Sequence, residues 1–220
     1  MRRLGRATVA AVAASMLAAT VAYAASLSIE PQDLTPYSST TQIPTTSTCT
    51  LTSSADTYAE QLVATATHGS DTTMQVASAN LANKRSFVTF DLSGCSFAAT
   101  ADVHSATLAL YLSTAPSSSR TYNANRVTAS WAEGTLNWSN QPSVAGTATS
   151  IVSTGTTNGV TLSWDVKADV KSFVEGASTN YGWRVADNSE SSVVARTGTF
   201  NTRDHATTST RPTLTITYYP

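Results

Sequence analysis

Charge is scarce in this sequence. Only 12% of its 220 residues are charged and the formal net charge is −1, whereas a typical domain carries about twice that share of charge. Because such a chain offers no basic surface, we predict no nucleic-acid partner. After residue 21, no apolar run approaches the roughly 20 residues that a transmembrane helix needs. The sequence therefore predicts no membrane span in the exported chain.

The motifs of common catalytic sites are also missing. His68, His104 and His205 are scattered, and none of them belongs to an HExxH pair. No GxSxG sequence marks a serine nucleophile, and no two carboxylates stand out as the acid and base of a glycosidase. We therefore predict that the protein is not an enzyme and has no catalytic residues.

The first 24 residues have the pattern of a secretory signal peptide. Arg2, Arg3 and Arg6 precede an uncharged apolar run over residues 7–21, and Ala22-Tyr23-Ala24 has the small side chains that signal peptidase requires. A transmembrane anchor is the alternative, but the run is shorter than a spanning helix. We expect cleavage after this tripeptide and a protein that is secreted, either extracellular or at the cell surface.

Residues 25–48 are rich in Thr, Ser and Pro and have no sustained periodicity, which is typical of an extended lead segment. A single domain is predicted over residues 49–220. Both cysteines of the chain, Cys49 and Cys95, lie in this domain. In an exported protein such a pair predicts a disulfide, with two separate buried thiols as the alternative. Their α-carbons should then lie within about 7 Å.

Apolar and polar residues alternate along several segments of the domain. Leu108, Leu110 and Leu112 are one example, and Leu214 with Ile216 is another. This period of two predicts strands with one buried face, and several such strands separated by turns indicate a β-sandwich or barrel.

One segment departs from this period. Val166, Val170 and Phe173 have helical spacing, Asp165 can cap the start, and Gly176 can end the segment in the left-handed conformation. We predict one short helix over residues 165–176.

An ordered set of motifs resembles the DNRLRE domain, also classed as carbohydrate-binding module family 96. The resemblance covers roughly residues 50–220. It implies an all-β fold, a jelly-roll-like antiparallel β-sandwich, in secreted bacterial proteins, some of which bind acidic glycans. The motifs are Asp56-Thr57-Tyr58, the segments 87–93, 105–111 and 131–142, Trp164-Asp165-Val166, and the segments 173–176, 180–183 and 211–218.

Five residues are candidates for contact with a glycan. Lys84 and Arg85 form a basic pair at the entrance of a strand, and Tyr111, Tyr122 and Tyr219 lie in loops or on the polar register, where a ring can be exposed. The alternative for the basic pair is a solvated turn, or a pairing of Arg85 with an acid such as Asp91.

The tryptophans are predicted to be structural. Trp164 and Trp183 share the register of apolar neighbours, which places them in the core. Trp131 and Trp138 flank Glu133 in the turn-rich segment 131–142, where indole N–H groups can bind the backbone.

Two sets of oxygen-bearing side chains are candidates for a structural calcium ion, although no cofactor is predicted overall. Asp187, Asn188 and Glu190 form one set, and Asp56 with Glu60 forms the other. Neither set has the spacing of an EF-hand.

Two functions are compatible with these patterns. The first is a non-catalytic module that binds extracellular or cell-wall polysaccharide. The second is a structural or adhesive surface protein without a specific glycan ligand.

Overall fold

The computed structural model describes residues 45–98 and 101–220. The predicted signal peptide and nearly all of the predicted lead lie outside these residues. The described chain contains eleven strands and one α-helix. They are β1 (Ser47–Thr52), β2 (Ala55–Glu60), β3 (Thr73–Ser78), β4 (Lys84–Thr89), β5 (Asp102–Thr114), β6 (Thr121–Arg126), β7 (Ser150–Ser153), β8 (Val160–Asp165), α1 (Lys167–Val174), β9 (Trp183–Asp187), β10 (Arg196–Asn201) and β11 (Thr213–Tyr219).

The described strands pair in antiparallel fashion along the path β1-β11-β5-β10-β3-β4-β9-β6-β7, while β2 pairs with β4 and β8 pairs with β5. Strand β8 joins the sheet only through β5, which is several strands away from β6 on this path. Nevertheless the Trp164 indole of β8 donates to the Tyr122 carbonyl of β6 at 3.1 Å. The sheet therefore folds over itself around a shared core. This is the predicted all-β, jelly-roll-like antiparallel β-sandwich with one short helix.

The core follows from the alternation in the sequence. Leu108, Leu110 and Leu112 point from β5 into the interior, and all three are fully buried. Trp164 and Trp183 are also fully buried, as predicted. The Trp183 indole donates to the Asp169 carboxylate of α1 at 2.8 Å, so neither buried N–H group lacks an acceptor.

Helix α1 is shorter than the predicted segment 165–176. Its first residue is Lys167, whose N–H donates to Asp165 Oδ1 at 2.9 Å. Gly176 follows the helix with a φ of +71°, the left-handed conformation in which glycine has no steric penalty. Among the described residues, no helix combines the length and the apolar character that crossing a membrane would require.

The predicted disulfide is confirmed. Cys49 in β1 is bonded to Cys95, and their α-carbons are 5.7 Å apart. Cys95 follows a short 3-10 turn, Leu92–Gly94, which leaves the end of β4. The bond therefore ties the chain between β4 and β5 to strand β1, which pairs on one side with β11.

Candidate functional site

The outward face of β4, β9 and β6 carries a row of polar side chains. Arg184 of β9 lies opposite Phe87 of β4 and Asn125 of β6. Asn123 and Arg85 share this outward register, because side chains two residues apart lie on the same face of a strand. The sequence neighbours of Arg184 and Asn123 point into the core. We call Arg85, Arg184, Asn123 and Asn125 the arginine face.

The segment 131–142, which we call the tryptophan loop, packs against one side of this face. Its Leu136 is buried in a small second core with Phe87 and Val127, and Trp131 and Trp138 cover that core. The Trp131 indole donates to the Tyr181 carbonyl at 2.8 Å. The loop is therefore structured, as the sequence predicts, and it forms a wall beside the arginine face.

Arg85 connects the tryptophan loop to the β9–β10 loop. Its guanidinium donates to both carboxylate oxygens of Glu190, at 2.7 and 2.6 Å, and to Gln141 Oε1 at 2.9 Å. It also stacks on Trp138, 4.4 Å from the ring centroid. Such a bidentate, stacked arginine is held in one orientation. Arg85 therefore holds the tryptophan loop and the β9–β10 loop in place beside the face. Glu190 already balances its charge.

Arg184 has far weaker partners. Its only side-chain hydrogen bond within the described residues is a long one, 3.4 Å from Nη2 to Asn125 Oδ1. The Nε atom of Arg184 and the Oδ1 atom of Asn123 are buried, and neither has a partner in the described chain. Burial and the nearby charge of Arg85 lower the pKa of Arg184. A buried donor and acceptor left unpaired are costly. The Arg184 side chain as a whole is partly exposed.

The structure does not bring the five predicted ligand residues together. Lys84 precedes Arg85 and points to the opposite side of β4, where its ammonium lies 3.3 Å from Glu60 and 2.8 Å from Gln75. The alternative for Arg85, a pairing with an acid, applies with a different partner, because Arg85 binds Glu190 and not Asp91. Asp91 accepts from the N–H of Ser93.

The expectation that Tyr122 is exposed is wrong. Tyr122 is fully buried, and its hydroxyl donates to the Val76 carbonyl at 3.2 Å. Its ring lies so close to Gly198 that a Cβ there would be 2.7 Å from the hydroxyl. Tyr111 and Tyr219 are partly exposed on β5 and β11, which are not strands of the arginine face.

The two predicted calcium sets are engaged in other contacts. Asp187 accepts two hydrogen bonds from Arg120, at 2.7 and 2.8 Å, and Glu190 pairs with Arg85. Asp56 and Glu60 lie at opposite ends of β2. Over residues 45–98 and 101–220, no group of three or more His, Cys, Asp or Glu side chains is arranged to hold a metal ion.

Sequence reasoning missed Arg184, Asn123 and Asn125. The available signal was the alternation at the start of the segment 183–187, where Arg184 lies between two apolar residues. In a chain with so little charge, a strand arginine flanked by buried neighbours is a stronger indication of a site than a basic pair at a strand entrance.

A partly buried ionic cluster anchors the far side of the tryptophan loop. Glu133 Oε1 accepts from the backbone N–H of Asp56 at 2.9 Å, and its two oxygens accept from Arg203 at 2.7 Å each. Asp56 Oδ2 accepts from the Ser53 hydroxyl and from the Arg203 N–H. Gly69 lies against the Glu133 backbone, where a Cβ would clash with the carbonyl. These contacts join the loop to β2 and to the β10–β11 connection.

We expect Trp138→Ala to lower the free energy of unfolding by about 2 kcal/mol. A fully buried indole would contribute about 3–5 kcal/mol, but Trp138 is only partly buried and one ring face is covered by Arg85. Urea denaturation of the variant and of Trp138→Phe, which keeps an aromatic ring for Arg85, would measure the loss. An unchanged midpoint for Trp138→Ala would show that the indole does not support the loop.

Comparison with known families agrees with the architecture. The family model described as carbohydrate-binding module family 96 matches residues 47–218. This range begins at the first residue of β1 and ends within β11. No curated protein matches the chain.

Proposed function

The chain belongs to carbohydrate-binding module family 96, and on that premise we propose that it is a secreted, non-catalytic protein that binds polysaccharide through its arginine face. The observation that carries the choice of face is the Arg184 guanidinium, whose one side-chain hydrogen bond within the described residues is the long one to Asn125. Arg85 and the tryptophan loop hold the two flanks of the face in place.

The chemistry of these atoms suggests the type of sugar. A guanidinium donates to carboxylates with charge-assisted hydrogen bonds, and an amide oxygen accepts from hydroxyls. A uronic acid residue presents both groups on one ring. Because Glu190 already neutralises Arg85, Arg184 supplies the positive charge for a sugar carboxylate. We therefore propose a polyuronate as the ligand.

The disulfide supports an extracellular location. Disulfides persist in oxidising compartments and are rare in the cytosol, and Cys49 and Cys95 form one here. The expected signal peptide points the same way. Glu190 is the acidic side chain that contacts the face, and Arg85 holds it in an ion pair. This pairing favours a role of Glu190 in positioning Arg85 over a role in acid–base chemistry.

We expect Arg184→Gln to weaken binding to polyuronate by about 10- to 100-fold, because hydrogen bonds to charged groups contribute about 1.5–3 kcal/mol. Affinity electrophoresis through gels containing alginate, pectate or xylan would measure retention. Arg196→Gln is the matched control, since Arg196 lies on β10 and donates to Ser117. Equal retention of the parent and Arg184→Gln on every polymer would contradict the proposed face.

A structural or adhesive role is favoured by a different surface. Thr48 and Thr50 of β1 lie directly opposite Thr217 and Thr215 of β11, with hydroxyl oxygens 3.4 and 3.3 Å apart. This outward sheet surface presents hydroxyl groups and contains none of the residues of the arginine face. Cell-wall association that persists in Arg184→Gln would favour the adhesive role, whereas its loss would favour glycan binding.

A further inference from the structure

Strand β7 presents a large apolar side chain to the outside. Six large apolar residues are exposed in the part of the chain that the structure describes, and five of them lie in loops. Ile151 is the one that lies in a strand, and 55% of the residue is exposed. Its neighbour Val152 packs against the main core, so Ile151 points to the opposite side of the strand.

Strand pairing places Ile151 on the arginine face. Ile151 lies directly opposite Asn123 of β6, and Asn123 is one of the residues that define the face. Residues directly opposite each other in an antiparallel pair have neighbouring side chains on the same side of the sheet. Because β7 is the last strand of the sheet path, Ile151 borders the arginine face on the side opposite β4.

The side chains beside Ile151 are polar and uncharged. Thr121 of β6 lies opposite Ser153 of β7, and both share the outward register with Asn123 and Ile151. Thr121 and Ser153 are exposed. Hydroxyl and amide groups therefore surround an apolar centre at this border, whereas guanidinium groups lie on β4 and β9.

Both ends of β7 are fixed to neighbouring elements. Before the strand, the Thr149 hydroxyl donates to the Asp169 carboxylate of α1 at 2.6 Å. After the strand, the Thr154 N–H donates to the Arg120 carbonyl, and the Arg120 N–H donates to Thr154 Oγ1, each at 2.9 Å. Ile151 is therefore presented by an anchored strand, which lowers the entropic cost of ordering it when a ligand binds.

Ile151 and Arg184 lie on strands that are separated by β6. Neighbouring strands are about 4.8 Å apart, so two such steps place the backbones of β7 and β9 about 10 Å apart. Arg184 is also two residues away from Ala186, which is the residue of β9 opposite Asn123. Since a pyranose ring is narrower than this separation, a ligand that contacts both residues contains more than one sugar.

We propose that Ile151 forms a second, neutral subsite of the arginine face, where it packs on a sugar ring while Arg184 binds the carboxylate of another sugar in the same polysaccharide. A sugar ring carries C–H groups on its faces and hydroxyl groups at its rim. Ile151 removes the C–H groups from water, and Thr121, Asn123 and Ser153 offer hydrogen bonds to the rim. This inference rests on the proposed function, because it extends the same face.

Titration calorimetry with galacturonate oligomers, from the dimer to the hexamer, tests the second subsite. We expect Ile151→Ser to weaken binding of the hexamer about tenfold, since the change removes the apolar surface that a ring covers. Binding of the dimer, which Arg184 holds, should not change. Ile151→Leu keeps the apolar surface and should bind as the parent does. Val193→Ser is the matched control, because Val193 is 96% exposed and lies in the β9–β10 loop, outside the strands of the face.

Ionic strength separates the contributions of the two subsites. Sodium chloride screens the contact between Arg184 and a carboxylate, so it should weaken hexamer binding by the parent and by Ile151→Ser alike. The ratio of the two affinities should stay at about tenfold, because apolar burial is not a charge interaction. Urea denaturation should give nearly the same midpoint for both proteins, since Ile151 is exposed.

Xylan oligomers, which are uncharged, distinguish failure of the second subsite from failure of the polyuronate proposal. Equal hexamer binding by the parent and Ile151→Ser, together with a loss in Arg184→Gln, would overturn the subsite and leave the arginine face in place. A parent that binds only xylan oligomers, and loses them in Ile151→Ser, would support the subsite and contradict the polyuronate ligand.

Two other results would also overturn the second subsite. One is a parent that binds neither kind of oligomer, which would contradict the proposed function as well. The other is a dimer in sedimentation velocity that Ile151→Ser dissociates, since another copy of the chain would then cover Ile151 at the β7 edge.

Discussion

The double variant Cys49→Ala/Cys95→Ala is expected to unfold with a free energy about 4 kcal/mol lower than that of the parent. The disulfide closes a loop with a sequence separation of 46 residues, and the chain-entropy model assigns about 4 kcal/mol to a loop of this length. Alanine avoids placing a hydroxyl at Cys95, which is buried. Guanidinium denaturation, with the slope checked for two-state behaviour, would measure the difference.

Reduction of the parent supplies the control. Dithiothreitol should lower the midpoint of the parent to near that of the double variant, and it should leave the variant unchanged. We expect the loss because, in the chain-entropy model, the bond restricts the unfolded chain and so removes part of the entropy gained on unfolding. A double variant as stable as the oxidised parent would mean that the bond restricts the unfolded chain less than the model assumes, or that it strains the native state by a similar amount.

Local patterns predict the architecture well because they report on burial. Leu108, Leu110 and Leu112 alternate in the sequence because β5 has one buried face, and the structure places all three in the core. The helix was also predictable from residues near its ends, since Asp165 accepts from the Lys167 N–H and Gly176 adopts the left-handed conformation, although the N-cap is Val166 and not Asp165. Features of this kind depend only on residues that are close together in the sequence.

The candidate site was not predictable because it depends on strand pairing. Arg184 lies between Phe87 and Asn125 only because β9 pairs with β4 on one side and with β6 on the other. No local pattern contains that arrangement. The partner of Arg85 is also distant in sequence, since Glu190 reaches it from the β9–β10 loop.

The burial of Tyr122 was hard to predict because its strand is short. The segment 121–126 contains polar residues at most positions, so its buried register is weak in sequence. In the fold, Tyr122 and Ala124 point into the main core, while Asn123 and Asn125 lie on the opposite face, where Asn125 is also buried. The asparagines belong to the arginine face. Because most residues of the segment are polar, its sequence indicates neither the buried position of Tyr122 nor the polar site.

The variant Asp56→Asn is expected to change the pH dependence of stability. Burial raises the pKa of Asp56 from 3.8 to about 6, with a smaller contribution from the nearby charge of Glu133. A carboxyl whose pKa is higher in the folded state binds its proton more tightly there, so it stabilises the fold at low pH. This contribution is complete below about pH 4 and is lost as the pH rises through 6, which amounts to about 3 kcal/mol.

Asparagine keeps the acceptor that Ser53 and Arg203 use, but it does not titrate. The difference in unfolding free energy, variant minus parent, should therefore rise by about 3 kcal/mol between pH 4 and pH 7. Urea denaturation of both proteins at half-unit pH steps would measure it, and the subtraction cancels every other titrating group. A constant difference over this range would mean that Asp56 is ionised throughout. The hydrogen bonds from Ser53 and Arg203, which favour the carboxylate, would then outweigh its burial beside Glu133.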